Sequence, residues 1–422
     1  MRSRIAAILF GLFASPLFAT ITGTVMTSDG QPIAGAKVTI SAIEPSDARR
    51  ERLLTRADRT MLASTQSDAK GVFRFESPKE AVVHLRVEAK GYAPTGQFVE
   101  RDGEINAIPL RKADTKTGTI TANGKPVAGA VVIWSGATDT FATTDAEGHY
   151  SVADPAKWAS RLTIVHPDFA IVDERVQGAN DAMRRNVDRT LNAGTKLTGR
   201  VIGADGQSPA PKATVLVDGW PLAITADDGT FTIAHAPKKT ETLAARSGSL
   251  YATRATPGAN PTLRLAKPAS LTGTLRDAKT RAAIAGAILR LGRAMRFDNS
   301  EIGTAVTDAK GNYSFLPVPA GSYQLFVTHP SYALPPVSVS VSAGQNVTRS
   351  FSASPLARIS GTVIDEEKRA IAAASLRQDQ DPMTRGPMMM RAMTAAEPVW
   401  SGPDGRFIFR TDDENVDLKA RK

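Results

Sequence analysis

The sequence predicts an all-β chain of tandem small β-sandwich modules, and three observations carry that prediction. A short β-rich phrase with a central glycine opens each of five copies, beginning with Ile21-Thr22-Gly23-Thr24-Val25. A tight-turn phrase follows in every copy, first as Asp68-Ala69-Lys70-Gly71-Val72-Phe73. Apolar residues alternate between the turns, as at Val83, Leu85 and Val87 or Tyr323, Leu325 and Val327. Alternation of that kind belongs to strands with one face inward.

Length and composition agree with several cores. A chain of 422 residues exceeds one ordinary domain. Its 42% hydrophobic content lets each unit bury a core, and 33 Gly with 26 Pro suit many turns without approaching a collagen composition.

Residues 1–19 read differently from the rest. Arg2 and Arg4 precede the apolar run Ile5 to Phe13, and Ser15-Pro16 breaks it before Leu17-Phe18-Ala19. This is the layout of a signal peptide cut after Ala19, so a secreted or periplasmic location is expected. The apolar run is too short to span a bilayer, and no later segment reads as transmembrane. No membrane anchor is therefore expected once the signal is removed; an uncleaved anchor is the alternative. With 0 Cys there is no disulfide, thiol nucleophile or lipid-bearing cysteine.

The modules are expected at 20–112, 113–194, 195–267 and 268–355, with a degenerate or incomplete fifth at 356–422. The first continues through Asp29-Gly30-Gln31-Pro32-Ile33-Ala34-Gly35-Ala36-Lys37-Val38. The second pairs Lys116-Thr117-Gly118-Thr119-Ile120 with Asn123-Gly124-Lys125-Pro126-Val127-Ala128-Gly129-Ala130. The third opens at Leu197-Thr198-Gly199 and loses the second glycine in Pro211-Lys212-Ala213. The fourth runs from Leu271-Thr272-Gly273 to Gly286-Ala287, and the fifth from Ile359-Ser360-Gly361 to a worn Ala372-Ala373-Ala374.

The glycines of the turn phrase, Gly71, Gly148, Gly229, Gly311 and Gly405, recur at intervals of 77, 81, 82 and 94 residues. Such a period is a whole domain and not a solenoid turn, so each copy needs its own core. Asp-Gly and Asn-Gly pairs favour tight reversals. About seven short antiparallel strands per copy, closed as two sheets, are expected. One helix is a candidate, at Asp47 to Met61 inside the first module, with Leu53, Leu54, Ala57, Met61 and Leu62 set against nearby arginines. A mobile arm is the equal alternative.

The combined phrases resemble the carboxypeptidase regulatory-like domain family. The resemblance rests on Gly-Thr-Val, then Gly-x-Pro-Ile/Val-Ala-Gly-Ala-x-Val, then Thr-Asp-Ala-x-Gly-x-Tyr/Phe, and covers nearly all of the chain after residue 19. It implies a transthyretin-like or immunoglobulin-like β-sandwich, related to the Cna B-type repeats. The family's module is an accessory in many secreted proteins, so the resemblance implies no peptidase centre. The lysine–asparagine cross-link of some Cna B-type modules finds no assignable members here.

A search for chemistry yields little. The five histidines, His84, His149, His166, His235 and His329, are scattered, with no His-Glu-x-x-His. His166 and His329 each precede Pro at equivalent strand ends, which suggests repeated architecture. No serine lies in a Gly-x-Ser-x-Gly context. Asp68, Asp145 and Asp308 recur at one turn position; a calcium site needs more oxygens, and turn capping is the plainer role. The Met388-Met389-Met390 tract reads as a loop. No catalytic residue, metal or cofactor is expected.

Net charge of +10 arises from 52 Lys and Arg against 42 Asp and Glu, spread through the chain with no basic stripe. No specific nucleic-acid partner is expected. The remaining binding candidates are tryptophans. Trp134 and Trp220 occupy comparable late positions on the second strand of their modules, while Trp158 and Trp400 lie near turns. Core or edge packing is the plainer reading of Trp134 and Trp220; exposed rings would suit a polysaccharide. The expected function is non-catalytic binding or spacing in the cell envelope or extracellular space, with an envelope protein or a polysaccharide as partner. Carbohydrate binding through exposed aromatics is the alternative.

Overall fold

The computed structural model describes residues 20–57, 59–101, 103–136, 138–153, 160–176, 187–255, 258–293, 301–378, 399–412 and 418–421. The expected signal segment, Trp158 and the Met388–Met390 tract fall outside these residues.

Alternating strands fold as pairs of sheets. In the first sandwich Thr20–Thr27 lies between Val72–Glu76 and the parallel Glu104–Leu110. The facing sheet runs in the order Met61–Gln66, Lys37–Ser41, Val82–Glu88, Thr95–Glu100. The second, third and fourth sandwiches repeat this plan around Thr115–Ala122, Thr195–Ile202 and Ala269–Asp277. Each has its own apolar core; in the first it is built on Ile21, Val25, Val38, Ile40, Leu85 and Val87.

The two recurring phrases are cross-strand partners. Gly23 lies opposite Phe73, Gly118 opposite Tyr150, Gly199 opposite Phe231, Gly273 opposite Tyr313, and Gly361 opposite Phe407. A Cβ on Gly23 would stand 2.7 Å from the Phe73 ring, and one on Gly199 2.5 Å from Phe231. The glycine is thus the seat of the opposing ring, which fills space the glycine leaves.

A buried hydroxyl ties the turn to the second strand in every copy. Ser67 Oγ accepts from the Ala36 N–H at 2.9 Å and donates to the Ile33 carbonyl at 2.6 Å. Thr144 and Thr225 make the same pair of bonds with Ala130 and Val127, and with Ala213 and Ala210. Ser401 does so with Ala374 and Ile371, and Thr307 accepts from Ala287. This satisfies backbone groups that burial would otherwise strand.

The fifth unit is smaller. Ala357–Thr362 pairs with Arg406–Thr411, and Ser375–Gln378 lies between Val399–Trp400 and Leu418–Arg421. With fewer strands described, Ile359 and Phe407 are half-buried, whereas their counterparts Ile21 and Phe73 are 0% and 1% exposed.

The candidate helix forms, but over Ser46–Thr55. It ends because Arg56 turns left-handed at φ 55°, its N–H bonding back to the Arg52 and Leu53 carbonyls. Met61 and Leu62, expected on its apolar stripe, instead begin a strand. This insertion also changes the expected string of modules. Leu53 packs with Val131 and Ile133 of the second sandwich and Trp220 of the third, while Ser46 Oγ lies 2.8 Å from Thr304 Oγ1 of the fourth. The sandwiches gather around the first.

Candidate functional site

The inserted helix carries the densest chemistry among the described residues. Pro45 precedes its first turn, Asp47 stands in that turn, and Arg52 closes the last. The acid favours the helix start and the cation its end. Helical spacing places Arg49 and Arg52 near one another on the side facing the second sandwich. There Asp139, 4% exposed, receives both. Arg49 Nη2 donates to Asp139 Oδ1 at 2.8 Å, and Arg52 Nη2 to Oδ2 at 2.9 Å. Arg52 Nε also donates to Glu44 Oε1 at 2.7 Å. Arg59 adds a longer approach to Asp139 Oδ2 at 3.6 Å.

Burial alone would raise the Asp139 pKa, but the charges of Arg49 and Arg59 and the arginine hydrogen bonds outweigh it, holding the carboxyl well below its usual range. A buried carboxylate among cations stays ionised. Arg86 reaches the same corner from the first sandwich, donating from Nη1 to Thr138 Oγ1 at 2.5 Å and to the Asp139 carbonyl at 2.8 Å.

The third sandwich joins through Trp220. Its ring is 3% exposed, and its Nε1–H donates to Asp173 Oδ2 at 3.0 Å. The Arg50 guanidinium lies 6.0 Å from the ring centroid. On the outer side Arg246 approaches Asp47 at 3.3 Å and Glu51 at 3.5 Å. Burial would raise the Asp173 pKa, but its hydrogen bond and charge pairing with Arg161 lower it.

The structure buries both tryptophans, as packing residues are, and so overturns only the alternative of an exposed sugar platform. Trp220 is sealed between sandwiches, and Trp134 is 0% exposed inside the second core. Lys116 occupies the first-strand position that Ile21, Leu197 and Leu271 hold elsewhere, and its Nζ lies 4.7 Å from the Trp134 ring centroid. A cation–ring pair thus replaces an aliphatic pair. Neither ring offers a face to solvent. Trp400 is half-buried against Met26, Ala107 and Ala373, where the fifth unit meets the first.

The repeated turn acids serve their own backbone. Asp68 Oδ1 accepts from the N–H groups of Lys70 and Val72, each at 2.8 Å. Asp145 and Asp308 repeat the arrangement. His166 and His329 also cap: Nδ1 of each accepts a backbone N–H two residues on, from Asp168 and Ser331. No group of three or more metal-ligating side chains occurs among the described residues.

His329 stands at a second junction. Ser331 Oγ donates to Glu100 Oε2 of the first sandwich at 2.7 Å. Arg410 of the fifth unit reaches Ser331 Oγ and lies 3.6 Å from Glu100 Oε2. Glu100 Oε1 is 3.9 Å from His329 Nδ1. Burial lowers the His329 pKa despite that carboxylate.

Residue patterns missed the junction acid Asp139 and the hydroxyl series. The arginines near the helix were visible, but the acid that Arg49, Arg52 and Arg59 share stands about ninety positions from Arg49. The Ser or Thr at positions 67, 144, 225, 307 and 401 recurs in all five copies and was legible.

Fold and junctions define an all-β protein of several small sandwiches tied together by an inserted helix. Residues 20–108 and 270–354, in the first and fourth sandwiches, match the model of the carboxypeptidase regulatory-like domain. No curated protein matches the chain. Among solved structures, it is similar to the Bacillus anthracis TIE protein, 10% identical over 76% of this chain and 68% of that one, with a TM-score of 0.19. It is similar to BcpA, the major pilin subunit of Bacillus cereus, at 12% identity, 80% and 99% coverage and a TM-score of 0.20. The full-length RrgB pilus protein of Streptococcus pneumoniae shows 11% identity, 80% and 98% coverage and a TM-score of 0.17.

Proposed function

We propose that the chain is an exported, non-catalytic scaffold of the cell envelope or extracellular space, holding β-sandwich surfaces at set positions for protein partners. One observation carries this reading: a helix inserted in the first sandwich is bonded to the second, third and fourth. A flexible spacer has no use for such ties, whereas a scaffold that presents several faces together needs them. Export rests on the pattern of residues 1–19, and the unit boundaries are those expected above. The family's accessory role in two sandwiches supports the absence of bond chemistry. Carbohydrate recognition through Trp134 and Trp220 receives no support from their buried rings.

Spin-label distances test the scaffold. The chain has 0 Cys, so Lys125→Cys with Lys310→Cys labels the second and fourth sandwiches specifically. A narrow distance distribution is expected, broadened by Arg52→Ala. A broad distribution in the otherwise unaltered chain would remove the proposal.

A further inference from the structure

A cleft of about 620 Å³ opens between the first and second sandwiches. One wall is the loop end of the first, with Lys37, Arg86, Glu88, Lys90, Tyr92 and Pro94. The other is the border of the second, where Thr140 and Phe141 of the strand Asp139–Thr143 meet Ser151, Val152 and Ala153. The charge of the cleft is lopsided. Arg86 and Glu88 pair with each other at 2.6 Å, whereas the exposed Lys37 and Lys90 pair with no acid among the described residues.

The border strand is a sheet edge. Asp139–Thr143 pairs with Val131–Ser135 on one side and with no strand on the other among the described residues. The Asp139 carbonyl points off the sheet, since Arg86 reaches it from the neighbouring sandwich. Backbone groups in a strand face alternate sides, so the next outward residue is Phe141. Its ring is 44% exposed, large for an apolar side chain. An outward N–H and carbonyl, an uncovered ring and two unpaired ammonium groups therefore share one cleft.

We infer that this cleft takes a short, extended, acidic peptide segment of a partner protein, added as a strand along Phe141–Thr143. Main-chain bonds to the edge would supply affinity, and alternate side chains would meet Phe141 and the ammonium groups of Lys37 and Lys90. A peptide suits the open edge better than a sugar does, because an extended main chain matches its donor and acceptor spacing. The inference rests on the protein-binding reading above and adds a site and a ligand chemistry to it.

The test is a titration of Thr20–Lys422 with a blocked peptide of alternating glutamate and valine, followed by fluorescence anisotropy. Three further probes are run beside it: an alternating lysine–valine peptide, the glutamate peptide N-methylated at alternate residues, and oligogalacturonate. Saturable binding of the glutamate peptide alone is expected. Lys37→Glu with Lys90→Glu should weaken it by at least about tenfold. Lys279→Glu with Lys310→Glu, a matched charge change elsewhere, should leave it unchanged. No binding, equal binding of the N-methylated or lysine peptide, or equal loss in both variants overturns the inference. Binding of oligogalacturonate in place of the peptide also overturns it, in favour of an acidic glycan site. Spin-label distances on the same preparation show whether the scaffold holds, so failure at the cleft is distinguishable from failure of the arrangement.

Discussion

At the scale of single residues, the repeat is a set of local solutions that survive sequence drift. The turn before the second strand needs a left-handed residue, and Gly35, Gly129 and Gly286 supply it at φ 71°, 77° and 76°. Where the glycine has been lost, Lys212 and Ala373 hold the same conformation at φ 55° and 53°. Tertiary context carries the strain that glycine avoids. The buried hydroxyls have less tolerance, because two backbone groups depend on each. Thr225→Val keeps the shape and removes both bonds. It is expected to destabilise the third sandwich by about 1–3 kcal/mol, read as a lower denaturant midpoint. An unchanged midpoint would mean that water replaces the hydroxyl.

The inserted helix is the element whose role the sequence left open. Leu53 and Leu54 predicted an apolar face, and the arginines predicted a charged one, yet a surface helix and a mobile arm fit equally well. Contact with Ile133 and Trp220 decides the matter by burying Leu53. Pairing with Asp139 then fixes how the charged side docks. The depressed carboxyl pKa in the folded state sets the sign of the pH dependence. Stabilisation is complete above the unfolded value of 3.8 and is lost as pH falls toward the folded one. The protection of the Leu53 and Leu54 amides, relative to exchange in an unfolded chain at the same pH, should hold at pH 5 and fall below pH 4. Asp139→Ala leaves Arg49 without its acid and Arg52 with Glu44 alone, and should cost about 3 kcal/mol of docking, opening the helix at neutral pH. Slow exchange in that variant would show that the apolar contacts suffice.

At the scale of the whole molecule, the first sandwich acts as a hub and the fifth unit closes against it. His329, Glu100, Ser331 and Arg410 bring the fourth, first and fifth units to one point. His329 Nδ1 accepts the Ser331 N–H, so protonation there would break that bond. Its folded pKa is lowered by burial, and the unfolded chain takes up a proton first, near pH 6.5. Stability from neutral His329 is therefore complete above that value and declines as pH falls below it. Thermal midpoints from pH 8 to 5 should show this decline, and His329→Gln should flatten it. An equal decline in the variant would assign the effect to other groups.

The sequence by itself determined the sandwiches: alternation set the strands, Asp-Gly and Asn-Gly set the turns, and the spacing of two phrases set the repeat. These are local or within-copy properties, carried by residues that face their own core. The pairing of Gly23 with Phe73, or Gly199 with Phe231, follows from both phrases being present, although neither phrase alone announces it. Only the tertiary structure decided which side chains lie between sandwiches. Nothing in the sequence around Trp220 or Asp139 marks them as junction residues, and both are buried because another sandwich or the inserted helix covers them. Burial across a junction depends on residues far apart in the chain with no shared period, so no pattern within a copy records it.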